Sequence, residues 1–358
     1  MKRWTSCLLA IMLMCAMTAA IADDWTLIPG ELTRDLPITV IAPRQETPGV
    51  SLTTGLPTDK AFLPILVVLD NEGPALPHWG IQDADVIYQV PNAGGGATKL
   101  LALFAYNAPE EAGGVRSART PFVDVALSWG AGLSYCGSPG ADKNDAANVP
   151  LLVRKSGLNK AGLNFDLYAS NNYSNRVKGK APPHNLSAHV RKMRDILVDA
   201  GKVFEPRGFL FTQEVLTDGV PATEIQVLHY GETKKPRSYT DSDATFTWDA
   251  QAHAYTRTTA RGPYVDRDAP DTPLTFANVI ILRTKFSYEH GNYVVLNETV
   301  GSGAADIFTQ GRYIAGGWTR EKQDQPTVFL NAQGGEMELA PGRTFIIITN
   351  DVTEVSYK

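Results

Sequence analysis

The hydrophobic pattern near the start of the N-terminal half predicts three β-strands. Residues 64–69 form a nearly continuous aliphatic run, which is typical of a strand buried on both faces. Residues 85–90 and 99–106 are two further strand-like runs. The three glycines at 94–96 lie between these runs and predict the turn of a β-hairpin. They have neither the spacing of a dinucleotide-binding loop nor the lysine of a phosphate-binding P-loop, so the turn gives little support to nucleotide binding.

The pattern then changes to a helical period. Apolar residues spaced three and four apart over 122–129 predict a short helix, and a strand is predicted at 132–137. Residues 142–156 are expected to be partly helical. A longer helix is predicted from 188 to about 200, with Ser187 as its N-cap.

The C-terminal half reads mainly as β-structure. Short alternating runs separated by turn residues predict strands at 224–230, 245–249, 254–258, 277–283, 327–330 and 343–348. The predicted fold class is therefore mixed α+β, with an N-terminal α/β-type domain built on a mixed sheet and a mostly β C-terminal domain. The predicted divisions are a signal peptide (1–22), an extended leader (23–57), the N-terminal domain (58–204) and the C-terminal domain (205–358).

The first 22 residues have the features of an export signal. Lys2 and Arg3 precede an apolar run of signal-peptide length, and a small-x-small motif at 20–22 suits cleavage. The alternative is an uncleaved anchor helix. Met14 before Cys15 does not fit a lipid-attachment site, so a periplasmic or extracellular protein that is not a lipoprotein is expected, with no stable membrane span after cleavage.

Composition narrows the classes of function. The chain has a net charge of -5, and removal of the signal would make it more negative, which argues against a broad nucleic-acid surface. Cys136 is the one cysteine outside the signal, so no internal disulfide is expected there. Its apolar context favours an inert thiol over a nucleophile.

The densest group of candidate functional residues lies between 113 and 124. Arg116 and Arg119 occupy a polar turn, and Asp124 follows on the predicted helix. Guanidinium groups bind phosphate or carboxylate through paired donors, so this turn predicts an anion site. Asp124 would orient one arginine or hold a metal. The alternative is an internal ion pair between Arg116 and Asp124.

Four further residues are expected to line the same cleft. Asp70 and Asn71 follow the aliphatic strand at the end where α/β folds place their sites, although a simple turn explains them as well. His184 and Asn185 follow two prolines that stiffen the backbone, although His184 also suits a turn.

Three classes of function remain open from these residues. The first is an anion-binding or transferase site for an envelope ligand. The second is a metal-dependent hydrolase that uses Asp70, Asp124 and His184, although the histidine spacing is not typical of a zinc site, and neither a metal nor a cofactor is expected. The third is a non-catalytic interaction or scaffold protein, in which aromatics such as Trp318 would be exposed for a partner or glycan. The sequence leaves the oligomeric state open.

The order of these motifs resembles the YerB-like bacterial envelope proteins, a pair of domains found together. The matching segments are LVVLDN (66–71), GIQDADVIYQ (80–89), GGVRSARTPFVD (113–124), APPHNL (181–186), YTR (255–257), GSGAADIF (301–308), GGW (316–318) and PGRTFI (341–346). The resemblance implies the two-domain architecture and an envelope location, and it carries no established reaction.

This chain departs from the family pattern at two points. Many relatives are lipoproteins, whereas the chain lacks a lipid-attachment motif, and many have a histidine where this chain has Tyr264, which weakens a metal site in the second domain. The order of elements in the first domain alone is similar to that of the LytR-CpsA-Psr envelope enzymes. That similarity implies a lipid-pyrophosphate or glycan ligand held by arginines.

Overall fold

The structure of the protein is a computed structural model. It describes residues 24–39, 41, 44, 46–139, 146–231, 233, 240–289, 293–296 and 300–358. The predicted signal peptide, and residues 142–145 of the predicted helical segment at 142–156, lie outside these described residues.

The N-terminal half contains both strands and helices. Its strands are β1 (Thr26–Ile28), β2 (Ile65–Asp70), β3 (Val86–Ala93), β4 (Ala97–Phe104), β5 (Ala112–Gly113), β6 (Gly132–Tyr135), β7 (Asn164–Asp166), β8 (Ser174–Arg176) and β9 (Leu186–Ala188). Its helices are α1 (Thr120–Trp129), α2 (Val149–Lys155), α3 (Leu158–Ala161) and α4 (Val190–Asp199).

The described part of the C-terminal half consists of strands and one short 3₁₀ turn at Thr240–Ser242. The strands are β10 (Leu210–Phe211), β11 (Val220–Pro221), β12 (Glu224–Leu228), β13 (Ala244–Asp249), β14 (Ala254–Thr259), β15 (Gly262–Pro263), β16 (Val265–Asp266), β17 (Ala269–Pro273), β18 (Thr275–Phe276), β19 (Asn278–Arg283), β20 (Phe286–Glu289), β21 (Tyr293–Leu296), β22 (Gly301–Thr309), β23 (Arg312–Arg320), β24 (Val328–Leu330), β25 (Glu338–Leu339), β26 (Thr344–Thr349) and β27 (Glu354–Tyr357). The predicted α+β class with a mixed sheet is confirmed.

Strands from both halves form one mixed sheet. Within the described residues this sheet has 13 strands, ten of them in the order β11-β23-β22-β19-β26-β3-β4-β2-β6-β7. β26 lies between β19 and β3 and is parallel to both, whereas β3, β4 and β2 are antiparallel to one another. The predicted division at 204/205 therefore falls between segments that share a sheet, and it stays a prediction.

The aliphatic strand β2 is buried on both faces, as its composition predicts. Leu66 and Val68 point into one hydrophobic cluster, and Ile65, Val67 and Leu69 point into the other. This alternation follows from the two-residue period of a strand, so one short segment contributes to the core on both sides of the sheet.

A second, antiparallel sheet of seven strands contains β1, β27, β12, β13, β14 and β15 in that order, with β18 beside β14. Its first strand, β1, lies in the predicted leader. β1 pairs with β27, the last strand of the C-terminal half. Arg34 also extends from the leader to Asp306, where its Nη2 lies 2.5 Å from Oδ1. The described part of the leader therefore contacts the C-terminal half at both places.

Two side chains have roles that differ from the prediction. Ser187 does not cap α4, because it lies within β9, where its Oγ accepts a hydrogen bond from Nε1 of Trp79. His189 is the N-cap residue instead. Trp318 is buried, and its Nε1 donates to the carbonyl of Arg283, so it offers no exposed platform for a glycan.

Candidate functional site

A single buried carboxylate lies at the centre of the candidate site. Asp70 is the last residue of β2, and its side chain has no exposed surface. Nζ of Lys99 is 2.9 Å from Oδ1, and Oδ2 is 2.9 Å from Nε of Arg116 and 2.8 Å from Nδ1 of His184. Burial would raise the pKa of this carboxyl, but Lys99, Arg116 and the hydrogen bond from His184 outweigh burial and hold the pKa below its usual range.

Strand register explains two of these contacts. Lys99 is the residue paired with Asp70 across the β2–β4 ladder, so the two side chains lie on the same face. The arginine turn lies along the end of β2, where the Asp70 amide donates to Gly114 O at 2.9 Å and the Arg116 amide donates to Val68 O at 3.1 Å. These backbone hydrogen bonds therefore fix the position of the Arg116 backbone at the end of β2.

The segment that carries His184 packs directly on this turn. The amide of Val115 donates to Leu186 O at 2.8 Å, and a Cβ atom on Gly114 would lie 2.4 Å from His184 O. Only glycine permits this approach without displacing the backbone. The side chain of His184 is 15% exposed, and within the described residues its Nε2 has no hydrogen-bonding partner.

A second histidine connects the site to the C-terminal half. His78 is fully buried, with Nε2 2.6 Å from Asp70 O and Nδ1 3.1 Å from the hydroxyl of Tyr264. A carbonyl oxygen only accepts, so Nε2 carries the proton and Nδ1 accepts from Tyr264. Burial lowers the pKa of His78 to about 4, which keeps the ring neutral at pH 7.

Arg119 is a buried cation beside Arg116. It is 9% exposed, its Nη1 donates to Ala118 O at 2.8 Å, and its guanidinium lies 4.5 Å from the ring centre of Tyr293. Its Nε is buried without a partner, and no carboxylate of the described residues pairs with it. Burial, assisted by the neighbouring charge of Arg116, lowers the pKa of Arg119 to about 10.

The two predicted asparagines lie next to the central residues. Asn71 donates from Nδ2 to Thr98 Oγ1 at 2.9 Å, and its Oδ1 is buried without a partner among the residues described. Asn185 accepts from Nη1 of Arg176 at 2.7 Å and so holds the loop that precedes His184. Asn185 therefore supports the imidazole through the backbone.

Asp124 has a different partner from the one predicted. Its Oδ2 accepts from Nη1 of Arg320 at 2.7 Å, and its Oδ1 accepts from Gln323 at 3.3 Å. This buried pair joins α1 to β23 of the C-terminal half. The ion pair between Arg116 and Asp124, which was the alternative prediction, is replaced by the pair of Arg116 with Asp70.

The residues that reasoning from sequence missed are Lys99, His78, Tyr264 and the fully buried Arg257. Arg257 lies over the rings of Tyr264 and Phe345, with Nη2 3.5 Å from Gln89 Oε1. The sequence contains one sign of the role of Lys99. Lys99 is the lone charged residue of an aliphatic strand, opposite the strand that ends at Asp70. A charge in such a strand needs a buried partner.

Three side chains offer a geometry that a metal ion can use. Ligand atoms of Asp70, Glu72 and His184 all lie within 4.8 Å of one another. However, both oxygens of Asp70 already contact cationic groups, Lys99 and Arg116. These fixed positive charges oppose a divalent cation and favour an anion. These cationic neighbours therefore weaken the case for a metal ion at the three side chains.

Comparison with known families identifies the chain. Residues 53–202 match the family described as "Protein of unknown function (DUF3048) N-terminal domain", and residues 235–346 match its C-terminal domain. The chain belongs to the DUF3048 family and contains its N- and C-terminal domain pair.

Two similarities to YerB of Bacillus subtilis agree with this assignment. The chain is 26% identical over 317 residues to "Putative lipoprotein YerB" of strain 168, which covers 85% of this chain and 87% of the relative. The crystal structure of the YerB protein has a TM-score of 0.69 at 21% identity, and it covers 86% of this chain and 99% of that one. The fold is therefore that of YerB.

None of the helices in the described part of the chain is long and apolar enough to cross a membrane.

Proposed function

We propose that this DUF3048 chain is an exported cell-envelope protein that binds a phosphate- or carboxylate-bearing ligand at Arg116 and Arg119. Its export signal and the name of its YerB relative support the location. One observation carries the ligand class: the charge of Arg116 acts on the guanidinium of Arg119, and this more buried group lacks a carboxylate partner among the residues described.

The charges around the site favour an anion. Lys99, Arg116 and Arg119 carry three positive charges, whereas Asp70 and Glu72 carry two negative ones. Arg116 approaches Asp70 most closely through Nε, which lies 2.9 Å from Oδ2, and its side chain is 27% exposed. Its terminal nitrogens have no partner within the described part of the chain, so they remain available for the paired contact that phosphate and carboxylate prefer.

Calorimetric titration with inorganic phosphate, pyrophosphate and citrate tests the proposal and separates the two ligand classes. We expect Arg116→Gln and Arg119→Gln each to weaken binding by about tenfold or more, since hydrogen bonds to charged groups contribute about 1.5–3 kcal/mol. Added salt should weaken binding by the wild-type protein. An undecaprenyl pyrophosphate analogue then tests the finer proposal of a lipid-pyrophosphate ligand.

Arg191→Gln is the matched control. Arg191 is 54% exposed and forms a surface pair with Glu110, so its loss removes one charge without touching the site. The proposal is wrong if the wild-type protein binds none of these anions. It is also wrong if the three variants bind them equally well.

A further inference from the structure

The imidazole of His184 has one engaged nitrogen and one free nitrogen. Nδ1 lies 2.8 Å from Asp70 Oδ2, and Nε2 has no partner among the described residues. The partly exposed ring can therefore reach a bound molecule through Nε2. This arrangement differs from that of His78, where both nitrogens are engaged and buried.

The partners of the ring determine which nitrogen carries the proton. Asp70 is held ionised by Lys99 and Arg116, and an ionised carboxylate only accepts hydrogen bonds. Nδ1 of the neutral ring is therefore the donor, which leaves the lone pair on Nε2. A carboxylate behind an imidazole fixes its tautomer and stabilises the imidazolium that forms when Nε2 takes a proton.

The imidazole of His184 lies beside the proposed anion site. Nε of Arg116 and Nδ1 of His184 contact the same oxygen of Asp70. The close contact of Gly114 with the His184 carbonyl fixes the two segments against each other. A phosphate that contacts Arg116 on the side of His184 would therefore lie near the imidazole.

We infer that His184 is a general base for transfer at phosphorus, acting on a phosphate ester bound by Arg116 and Arg119 and positioned by Asp70. This inference rests on the proposed anion site and adds a reaction to it. The substrate class is an ester of phosphoric acid, and the acceptor is water or an alcohol.

In the reaction, the oxygen of the acceptor forms a bond to phosphorus while His184 Nε2 takes its proton. The ester P–O bond breaks, and the leaving oxygen keeps the electron pair of that bond and takes a proton from solvent. The imidazolium then returns its proton to solvent. The arginines stabilise the charge on the phosphoryl oxygens, and oxidation states do not change.

Hydrolysis of bis(p-nitrophenyl) phosphate and p-nitrophenyl phosphate by the full-length exported protein tests the inference, with phosphate binding measured in parallel. We expect His184→Gln to lower the rate by about 100-fold or more while phosphate still binds, as general-base contributions are of this size. His189→Gln is the control, because His189 bonds Asn175 outside the site. Added imidazole should restore part of the rate to His184→Ala, which a purely structural role would not allow.

Each outcome separates this inference from the proposed function. Phosphate binding without turnover of either ester by the wild-type protein overturns the catalytic role and leaves the binding proposal intact. Equal turnover by the wild-type protein and His184→Gln also overturns the role of His184. A wild-type protein that binds no phosphate overturns both proposals.

Discussion

The hydroxyl of Tyr264 lies 3.1 Å from Nδ1 of His78, and these two buried side chains come from opposite halves of the chain. Their rings meet edge to face at a centroid distance of 5.9 Å. Because His78 also donates to the carbonyl of Asp70, the C-terminal half contacts the centre of the candidate site through one imidazole.

Removal of the Tyr264 hydroxyl should destabilise the protein. In Tyr264→Phe the buried Nδ1 of His78 has no donor, and we expect the free energy of unfolding to fall by about 1–3 kcal/mol. Urea denaturation followed by tryptophan fluorescence measures the change. Tyr168→Phe is the control, because Tyr168 is 82% exposed and should change stability very little. Equal stability of the two variants would contradict the buried hydrogen bond.

His78 should also make stability depend on pH. Burial lowers its pKa from 6.5 to about 4 in the folded protein. Below pH 6.5 the unfolded chain therefore binds a proton that the folded protein refuses until about pH 4. The contribution of His78 to the free energy of unfolding falls as the pH drops through this window, by at most about 1.4 kcal/mol per pH unit.

Comparison of the wild-type protein with His78→Gln isolates this contribution. Asp85 acts in the opposite direction, because burial raises its pKa to about 6 and its stabilising contribution is lost as the pH rises to that value. Asp85 is present in both proteins, so its effect cancels. We expect the difference in free energy of unfolding between the two proteins to shrink steadily as the pH falls from 6.5 to 4. A constant difference would show that His78 does not titrate as described.

Arg119 should contribute to ligand binding at the expense of stability. Its guanidinium is buried without a carboxylate partner among the described residues, and its Nε is unsatisfied. In Arg119→Met the side chain still packs on Tyr293 without a buried charge. We expect the free energy of unfolding to rise by about 1–3 kcal/mol, and phosphate affinity to fall.

Thermal unfolding and phosphate titration of the same preparations measure both effects. Arg191→Met is the control, and it should change the free energy of unfolding by no more than about 0.5 kcal/mol, because this side chain is exposed. If Arg119→Met is less stable than the wild-type protein, Arg119 is a structural cation and not a ligand-binding one.

Gly114 should be intolerant of even one methyl group. A Cβ atom would lie 2.4 Å from the backbone oxygen of His184, so the two segments must separate in Gly114→Ala. We expect a loss of about 1–3 kcal/mol in free energy of unfolding, together with weaker anion binding. Gly335→Ala is the control, because its nearest neighbour is a side-chain nitrogen at 3.3 Å that can move. Denaturation of both variants measures the free energy of unfolding, and phosphate titration measures anion binding. Equal values for Gly114→Ala and Gly335→Ala would contradict the close contact.

Local patterns predicted the elements better than the contacts between them. The two-face burial of β2, the hairpin of β3 and β4, and α1 all follow from apolar spacing over fewer than about ten residues. The sequence also predicts that Asp70, Arg116 and His184 lie close together. It places them in a larger group that includes Asp124. Asp124 pairs with Arg320 on β23, and no local signal in the sequence shows that these two residues meet.

One error and one failed alternative have the same physical cause. Ser187 has the residue type of a helix cap, but tertiary pairing with β5 places it in a strand. The scaffold alternative required an exposed Trp318, but the register of β22 and β23 turns it inward. In both cases a contact between distant segments outweighs a local preference.

The parallel pairing of β26 with β3 has a consequence for biosynthesis. The ribosome completes β3 long before it makes β26, so the nascent chain cannot finish its largest sheet until most of the C-terminal half has been made. Throughout that interval β3 has an open edge of backbone groups that other chains can pair with. The N-terminal half therefore needs protection of this edge until β26 has been made and can pair with it.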